Sequence, residues 1–139
     1  MSERHEIRIE GASEPVSHYT DAVRFGDLLY VSGCAPFDSD GKVVGENDVV
    51  AQTRQVFNNL LEILRAAGAE MKDVLKVTVF LIDVNDRKAI NPVRQEFFGD
   101  ARPASTLIGV TGFVDPKMLV EIEAVVGIPV KTEKGDDGK

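Results

Sequence analysis

Two carboxylates, Glu121 and Glu123, lie inside a strongly apolar run, and their type and spacing are well suited to acid–base chemistry. The run covers residues 119–126 and reads LVEIEAVV. In a strand, alternate side chains point to opposite faces, so both carboxylates share one face with leucine and valine. Burial raises the pKa of a carboxyl group that lacks compensating partners, and such a group can act as a general acid or base. The alternative interpretation is an edge strand with a solvated face.

Length and composition indicate one ordinary globular domain. The chain has 139 residues, of which 43% are hydrophobic, and we assign the domain to residues 1–130. Residues 131–139 are rich in Lys, Asp and Gly and are predicted to form a disordered tail. No run approaches the roughly 20 apolar residues that span a bilayer, and the N-terminus is charged, so we expect no membrane association and a cytoplasmic protein.

Charge and residue types argue against several kinds of site. The net charge of −7 disfavours a nucleic-acid partner. A single cysteine, Cys34, excludes an internal disulfide, and with two histidines the chain has no recognisable metal-ligand cluster. There is also no glycine-rich phosphate loop or Ser/His/Asp pattern. We therefore expect chemistry that needs neither a metal nor a cofactor.

The strands and helices that must position the carboxylates follow from hydrophobic periodicity. Runs rich in β-branched and aromatic residues predict strands at 20–25, 28–33, 74–82, 105–110 and 119–127. A helix is predicted from a cap at Asn47 to a stop at Gly68, with Gln52 away from its apolar stripe. A second helix is predicted from Asp86 to Phe98, where Pro92 indicates a kink or a late start.

The resulting order, β-β-α-β-α-β-β, predicts an α/β (α+β) fold, a mixed sheet with two helices on one face. The other sheet face has no helix to cover it. An apolar face left uncovered on so small a chain favours oligomerisation, which would place Glu121 and Glu123 at or near a subunit boundary.

Several short segments match the motifs of a known family in order and spacing. From residue 15 to 130 the chain resembles the YjgF/RidA family of enamine and imine deaminases. The resemblance implies a chorismate-mutase-like fold and a homotrimer with a barrel-like core. It also implies clefts between subunits that hydrolyse intermediates such as 2-aminoacrylate to a keto acid and ammonia, without a metal or cofactor. The matching segments are YVSG at 30–33 with Pro36, AQTRQ at 51–55, KVTVF at 76–80, Asn91 with EFF at 96–98, RPA at 102–104, and VEIEA at 120–124.

One position departs from the family pattern. Catalytic members carry an arginine after Pro-Ala that holds the substrate carboxylate, and here that position is Ser105. A hydroxyl has no charge and cannot form the paired hydrogen bonds of a guanidinium. We therefore expect weak binding of the usual 2-imino acids. The segment between Ser105 and Glu121 is also one residue longer than usual, so the loop at 112–117 is expected to reshape the mouth of the cleft.

The resemblance assigns roles to further residues. Glu121 matches the acid that positions the attacking water, although pairing with a cation of a neighbouring subunit is the alternative; Glu123 is expected to be structural. Asn91 either faces the cleft or caps its helix, and Arg94 either restores a cation near the cleft or is solvated. Cys34 is more consistent with an inert buried thiol than with a nucleophile. The expected substrate-binding residues are Tyr19, Ser32, Gly33, Cys34, Asn91, Arg94, Ser105, Thr106 and Leu107.

Three functions are compatible with these observations. The first is a cofactor-independent hydrolase of an imine or enamine other than the usual 2-imino acid. The second is a trimer that binds a small metabolite without converting it, since loss of the anchoring arginine fits a change from enzyme to sensor. The third is the endoribonuclease or translation inhibitor of older family labels, which the acidic charge disfavours.

Overall fold

The computed structural model describes residues 3–130, which form a mixed α+β domain. The predicted tail at 131–139 lies outside the described residues. The elements are β1 (Arg4–Ile7), β2 (Ala22–Phe25), β3 (Leu28–Cys34), α1 (Val49–Ala66), β4 (Val74–Leu81), α2 (Arg87–Phe98), β5 (Ala104–Gly109) and β6 (Val120–Gly127). Within the described range the strands join one six-stranded sheet in the order β1-β2-β3-β6-β4-β5, and neighbours are antiparallel except for parallel β4 and β5.

The predicted fold class is confirmed, with one added strand. Sequence patterns did not predict β1, because its residues, RHEI, show neither alternation nor β-branched enrichment beyond one isoleucine. The strand forms because it pairs along its whole length with β2. It extends the sheet at the edge opposite to β5.

The core lies between the helices and one face of the sheet. On β6, the residues at even positions from Val120 to Val126 are buried, as their alternation predicts. Inward residues of β3 and β4 join them, and so do residues of both helices, in one cluster. Phe57 of α1 stacks on Phe97 of α2 with ring centroids 5.1 Å apart, which fixes the two helices against each other.

The N-cap of the first helix lies one residue later than predicted. Asp48, not Asn47, caps α1, since its side chain accepts a hydrogen bond from the Ala51 amide at 3.0 Å. Asn47 instead adopts a left-handed backbone with φ of 63°. At the other end the predicted stop is confirmed, because Gly68 has φ of 78° just after the helix.

Gln52 lies on the buried side of α1, and the predicted position away from the apolar stripe is therefore wrong. It is fully buried, with 0% exposure, although the polar side chain was predicted to lie away from the apolar stripe. Its amide donates to the carbonyl oxygens of Gly45 and Lys117, and its carbonyl accepts from the Leu119 amide at 2.7 Å. These bonds satisfy the buried amide and hold the start of α1 against the segment that leads into β6.

The second helix follows a short 3-10 turn at Val84–Asp86 and contains Pro92 in its interior. The proline therefore marks neither the beginning of the helix nor a break in it. Because Pro92 has no N–H, the carbonyl oxygen of Lys88 lacks its usual helical donor. Both residues are exposed, so water can form a hydrogen bond with that oxygen. The connection β4-α2-β5 joins two parallel neighbours, as crossover helices do.

The sheet face away from the helices carries large apolar side chains that are at least partly exposed. They include Leu28 and Tyr30 on β3, Leu75 on β4 and Ile108 on β5. The structure thus has the bare apolar face that the sequence predicts. Among the described residues, no helix is long and apolar enough to cross a membrane.

Candidate active site

A β-bulge at the end of β3 shapes the surroundings of Glu121. Val31 pairs with Ala124 and Cys34 pairs with Ile122, so Ser32 and Gly33 together lie opposite the single residue Glu123. The extra residue resets the alternation, and Val31 and Cys34 both point into the core. Ser32 and Gly33 are left outside it, beside the carboxylates of β6.

Gly33 provides the space that the Glu121 carboxylate occupies. A Cβ atom built on Gly33 would lie 2.5 Å from Oε2 and 2.7 Å from Cδ of Glu121. Any other residue at position 33 would therefore displace this carboxylate. A close approach of the Gly33 backbone to a ligand stays a prediction; in the structure the group that lies close to Gly33 is the Glu121 carboxylate.

The environment of Glu121 favours its protonated form. Partial burial raises the pKa of this carboxyl group above its ordinary value, and the nearby charge of Glu123 raises it further. In the described part of the chain, no cationic side chain forms an ion pair with Glu121. The Glu121 carboxyl group therefore titrates at a pH closer to neutral than the carboxyl group of a solvated glutamate does.

Glu121 lines a cavity of about 810 Å³. Tyr19, Ser32, Gly33 and Cys34, four of the expected substrate-binding residues, line the same cavity. Val114 also lines it and belongs to the loop at 112–117, which the sequence predicts at the mouth of the cleft. The sequence patterns did not predict the other parts of the wall. These are the segment 9–17, the loop after β3, and the side of α1 that carries Gln55, Asn59, Glu62 and Ile63.

Hydrogen bonds between side chains and backbone hold these walls in place. The Asn59 amide donates to the carbonyl oxygens of Ala35 and Phe37, each at 2.9 Å, and so ties the loop after β3 to α1. On the other side, the Ser32 hydroxyl donates to the Thr20 carbonyl at 2.7 Å. Ser32 therefore uses its one proton within the protein, and its oxygen is left to accept from a ligand.

A partly buried ion pair supports the N-terminal segment. Arg8 donates to the Asp21 carboxylate at 2.7 Å and to the carbonyl oxygen of Ser13 at the same distance. The Ile9 amide also donates to Asp21 at 2.7 Å. These contacts raise the pKa of Arg8, chiefly through its hydrogen bond to Asp21. They fix segment 9–17 as a wall of the cavity.

Cys34 has the properties of an inert thiol. Burial raises its pKa to about 12, and the charges of Asp21 and Glu121 contribute in the same direction. A thiol with this pKa is protonated at neutral pH and is a weak nucleophile. The geometry thus agrees with the structural interpretation of Cys34.

The remaining expected residues lie at a different place in the protomer. Ser105, Thr106 and Leu107 are on β5, the edge strand that β4 separates from β6. Arg94 donates from α2 to the Ser105 hydroxyl at 2.9 Å, and burial lowers the pKa of this half-buried guanidinium. Lys76 donates to the Thr106 hydroxyl at 2.7 Å. These residues do not line the cavity of their own protomer.

Asn91 lies in the interior of α2 and is exposed. It does not cap the helix, which begins four residues earlier at Arg87. Of the two interpretations of this residue, the cap is therefore wrong, and contact with a ligand stays a prediction. As for metals, residues 3–130 contain no group of three or more His, Cys, Asp or Glu side chains arranged to hold an ion.

Comparison with known proteins shows the family. The profile of the endoribonuclease L-PSP family matches residues 10–128. The chain is 40% identical over 119 residues to the 3-aminoacrylate deaminase RutC of Acinetobacter baylyi, which covers 86% of this chain and 94% of that protein. It is 37% identical over 134 residues to the 2-iminobutanoate/2-iminopropanoate deaminase of Dermatophagoides farinae, with 92% and 99% covered.

A solved structure agrees with these relatives. RidA from an Antarctic Psychrobacter superimposes with a TM-score of 0.83 at 31% identity, over 89% of this chain and 99% of that one. The chain belongs to the YjgF/RidA family, and the predicted resemblance is confirmed.

Proposed function

We propose that this protein is a cofactor-independent hydrolytic deaminase that acts on an imine or enamine. The observation that carries the proposal is the seating of Glu121, a partly buried carboxylate of raised pKa that lies over Gly33 at a cavity wall. The names of two relatives, a 3-aminoacrylate deaminase and a 2-iminobutanoate/2-iminopropanoate deaminase, support the same class of reaction.

The chemistry requires one group that moves a proton in both directions. An enamine first tautomerises to its imine, and water then adds to the carbon of the C=N bond. Glu121 accepts the proton of that water and delivers it to the nitrogen. In the resulting carbinolamine, Glu121 accepts the hydroxyl proton and passes it to the amine nitrogen. The C–N bond then breaks as the oxygen becomes a carbonyl, so one imine and one water give one carbonyl compound and one ammonia. A carboxyl group with a raised pKa suits both steps.

We further propose that the substrate is not a small 2-imino acid. The family resemblance aligns Ser105 with the arginine that holds the substrate carboxylate in catalytic members, and the Ser105 hydroxyl accepts a hydrogen bond from Arg94. Among the remaining expected contacts, Tyr19, the Ser32 oxygen and the backbone of Gly33 line the cavity and are proposed to contact the ligand. Asn91, Arg94, Thr106 and Leu107 are proposed to do so only from a neighbouring protomer.

A homotrimer with a barrel-like core is proposed to complete the site. The partly exposed apolar side chains on the helix-free sheet face support association through that face. Glu121, Phe80 and Ile108 lie in register across β6, β4 and β5 on this face, so an interface there would adjoin the carboxylate.

Ammonia release tests the proposed function. Purified protein, treated with a chelator and given no cofactor, is mixed with freshly generated 2-aminoacrylate or with an imine that carries no carboxylate. We expect accelerated ammonia release from the second compound and little from the first. If neither is hydrolysed faster than without protein, the catalytic proposal is wrong, and ligand binding without turnover would identify the metabolite-binding alternative.

A further inference from the structure

The first residues of β6 have a strand partner on one side only. On that side Glu121 pairs with Phe80 of β4. On the other side β3 ends at Cys34, which pairs with Ile122, so the pairing with β3 does not reach Glu121. A strand end that is paired on one side opens more easily than a strand paired on both sides. The place of the Glu121 carboxylate therefore depends on what else holds the start of β6.

Gln52 of α1 holds the segment that enters β6. The Leu119 amide donates to the Gln52 side-chain oxygen at 2.7 Å, and the Leu119 carbonyl accepts from the Ile82 amide at 3.2 Å. The Gln52 amide donates to the carbonyl oxygens of Lys117 at 2.9 Å and of Gly45 at 3.1 Å. One side chain thus joins the loop before α1 and the residues just before β6 to the helix.

These bonds outweigh the other link between the same two segments. The Lys117 ammonium lies 3.8 Å from the Glu46 carboxylate, but both side chains are more than half exposed, and exposed ion pairs contribute little. Gln52 is fully buried, and unpaired polar groups around a buried position are costly, so its bonds are the stronger link. Because this burial is complete within one chain, the contacts do not depend on association with another copy.

The Glu121 carboxylate has little room for movement at its present place. A Cβ atom added to Gly33 would lie 2.5 Å from Oε2 of Glu121, so the carboxylate rests close to the backbone of β3. Glu121 follows Leu119 by two residues in an extended chain. A displacement of Leu119 would therefore pass to the carboxylate and change its distance from Gly33 and its contact with water.

We infer that Gln52 is a positioning residue of the candidate active site. Its side-chain amide, through three hydrogen bonds, fixes the start of β6 and thereby the place of the Glu121 carboxylate over Gly33. Gln52 does not line the cavity, so it acts through Leu119 and the strand. The inference deepens the proposed function and rests on it for the effect on turnover, whereas the effect on the carboxyl group itself is independent of any substrate.

Gln52→Met tests the inference, because it nearly keeps the volume of the side chain and removes all three hydrogen bonds. The first readout is the pH titration of the Glu121 ¹³C carboxyl resonance. We expect its midpoint to fall toward the ordinary value of 4.5 by about half a pH unit or more, since a loosened strand end admits water to the carboxylate. The second is imine hydrolysis, in which kcat should fall by about tenfold and KM change by less than about threefold.

Thr53→Val is the matched control. Thr53 is the next residue of α1 and is also fully buried, but its hydroxyl donates only to the Val49 carbonyl of the same helix, at 2.7 Å. The valine variant loses a buried hydrogen bond that does not reach β6, so we expect the Glu121 titration and kcat to stay as in the wild type. An unchanged midpoint in Gln52→Met, or an equal change in both variants, would overturn the inference.

The titration also separates this inference from the proposed function. A midpoint that falls in Gln52→Met alone, in a protein that hydrolyses no imine, would support the positioning role and contradict the deaminase activity. Imine hydrolysis that is equally fast in the wild type and in Gln52→Met, with an unchanged midpoint, would support the activity and contradict the positioning role.

Gln52→Glu decides the question if Gln52→Met does not fold. It keeps the length of the side chain and an oxygen that accepts from Leu119, but even when protonated it donates at most one of the two bonds that the amide donates. The Met118 amide donates to the Asp115 carbonyl at 3.0 Å in the segment that Gln52 holds. We expect hydrogen exchange at Met118 to be about tenfold or more faster than in the wild type. Unchanged exchange would show that Gln52 does not hold this segment, which contradicts the inference.

Discussion

Two regions of this protomer carry the residues expected to bind substrate, and they differ in how complete they are. At the junction of β3 and β6, a bulge, a glycine and a partly buried carboxylate form one wall of a cavity. At the β5 edge, Ser105 and Thr106 are exposed, and each accepts a hydrogen bond from a cation. Burial shifts a pKa at each region, that of Glu121 at the first and that of Arg94 at the second. Only the first region lines a cavity within one chain.

The comparison supports the proposal that chemistry concentrates at the first region. Most side chains of the edge strand are exposed, so charges on that surface are screened and their interactions are weak. Partial burial at Glu121 removes water, and the same kind of charge acquires a raised pKa. Four substitutions measure this difference in five experiments, from the largest expected effect to the smallest.

Glu121→Gln removes the proton acceptor and should reduce kcat/KM for imine hydrolysis by about 10²–10⁴-fold, the usual contribution of a general acid or base. Ligand binding should persist, because glutamine has nearly the same shape. Titration with phenylacetamide, an uncharged analogue without a hydrolysable C=N bond, verifies binding, and ammonia release measures turnover. Unchanged turnover would remove Glu121 from the mechanism and leave the cavity as a binding site only.

Gly33→Ala should reduce kcat/KM by about 10–100-fold, because the added methyl group displaces the Glu121 carboxylate and small misplacements of a reacting group are costly. The ¹³C resonance of the Glu121 carboxyl should titrate differently in this variant. Gly127→Ala on β6 is the control, since its Cβ would lie 3.4 Å from a Leu75 methyl group, at the limit of ordinary contact. Loss of activity in both variants would indicate a general effect on the sheet.

Ser105→Arg should increase turnover of 2-iminopropanoate by about tenfold, because a guanidinium can hold a carboxylate by two charge-assisted bonds. The neighbouring Arg94 limits the gain through repulsion between like charges. Ser105→Lys adds the charge without the planar fork and should gain less. No increase would mean that the site differs from the carboxylate-binding relatives in more than this anchor.

The free energy of unfolding should depend on pH because the Glu121 carboxylate is partly buried in the folded state. The pKa of Glu121 is higher in the folded state than its ordinary value of 4.5, so the folded protein binds this proton more tightly. The wild-type protein therefore loses stability as pH rises through this range. Relative to it, Glu121→Gln should be equally stable near pH 4 and more stable at pH 7.5, by up to about 1 kcal/mol after allowance for solvent screening.

Urea unfolding at the two pH values measures this difference. The control Glu62→Gln removes an exposed carboxylate on α1. We expect it to change the free energy of unfolding by less than about 0.5 kcal/mol at either pH. A stability gain for Glu121→Gln that is the same at both pH values would contradict the raised pKa.

Arg94→Gln should have the smallest effect on the cavity. Arg94 contacts Ser105 at the sheet edge and is proposed to reach the cavity only from a neighbouring protomer, where an uncharged ligand gains little from its charge. Phenylacetamide binding should therefore change by less than about twofold. Arg87→Gln, at the exposed start of the same helix, is the control for charge. A large loss specific to Arg94 would show that the two regions meet in the assembled protein.

Much of the fold follows from local patterns. The alternation in β6 predicts which of its side chains are buried, and the same pattern leaves Glu121 and Glu123 on the other face. Gly68 ends α1 because a left-handed backbone there favours glycine. Local patterns missed β1, whose polar residues form a strand only because β2 offers its edge.

Family motifs and residue types were enough to select five residues of the site as a group, namely Glu121, Tyr19, Ser32, Gly33 and Cys34. The sequence could not predict how these residues are arranged in space. The bulge that frees Ser32 and Gly33 is a mismatch between two strands, which no single strand encodes. Gln52 resembles a surface residue in its helix, and only the carbonyls of distant loops make its burial favourable.

The amino-acid sequence alone determined the periodicity of the strands and helices, the excess of acidic charge and the presence of serine at position 105, since these depend on residue type and local geometry. Only the tertiary structure decided that Gly33 lies beneath the Glu121 carboxylate and that a large cavity with acidic and apolar walls opens beside it. Those properties arise from contacts between segments far apart in the chain, where packing and exclusion of water set the energies.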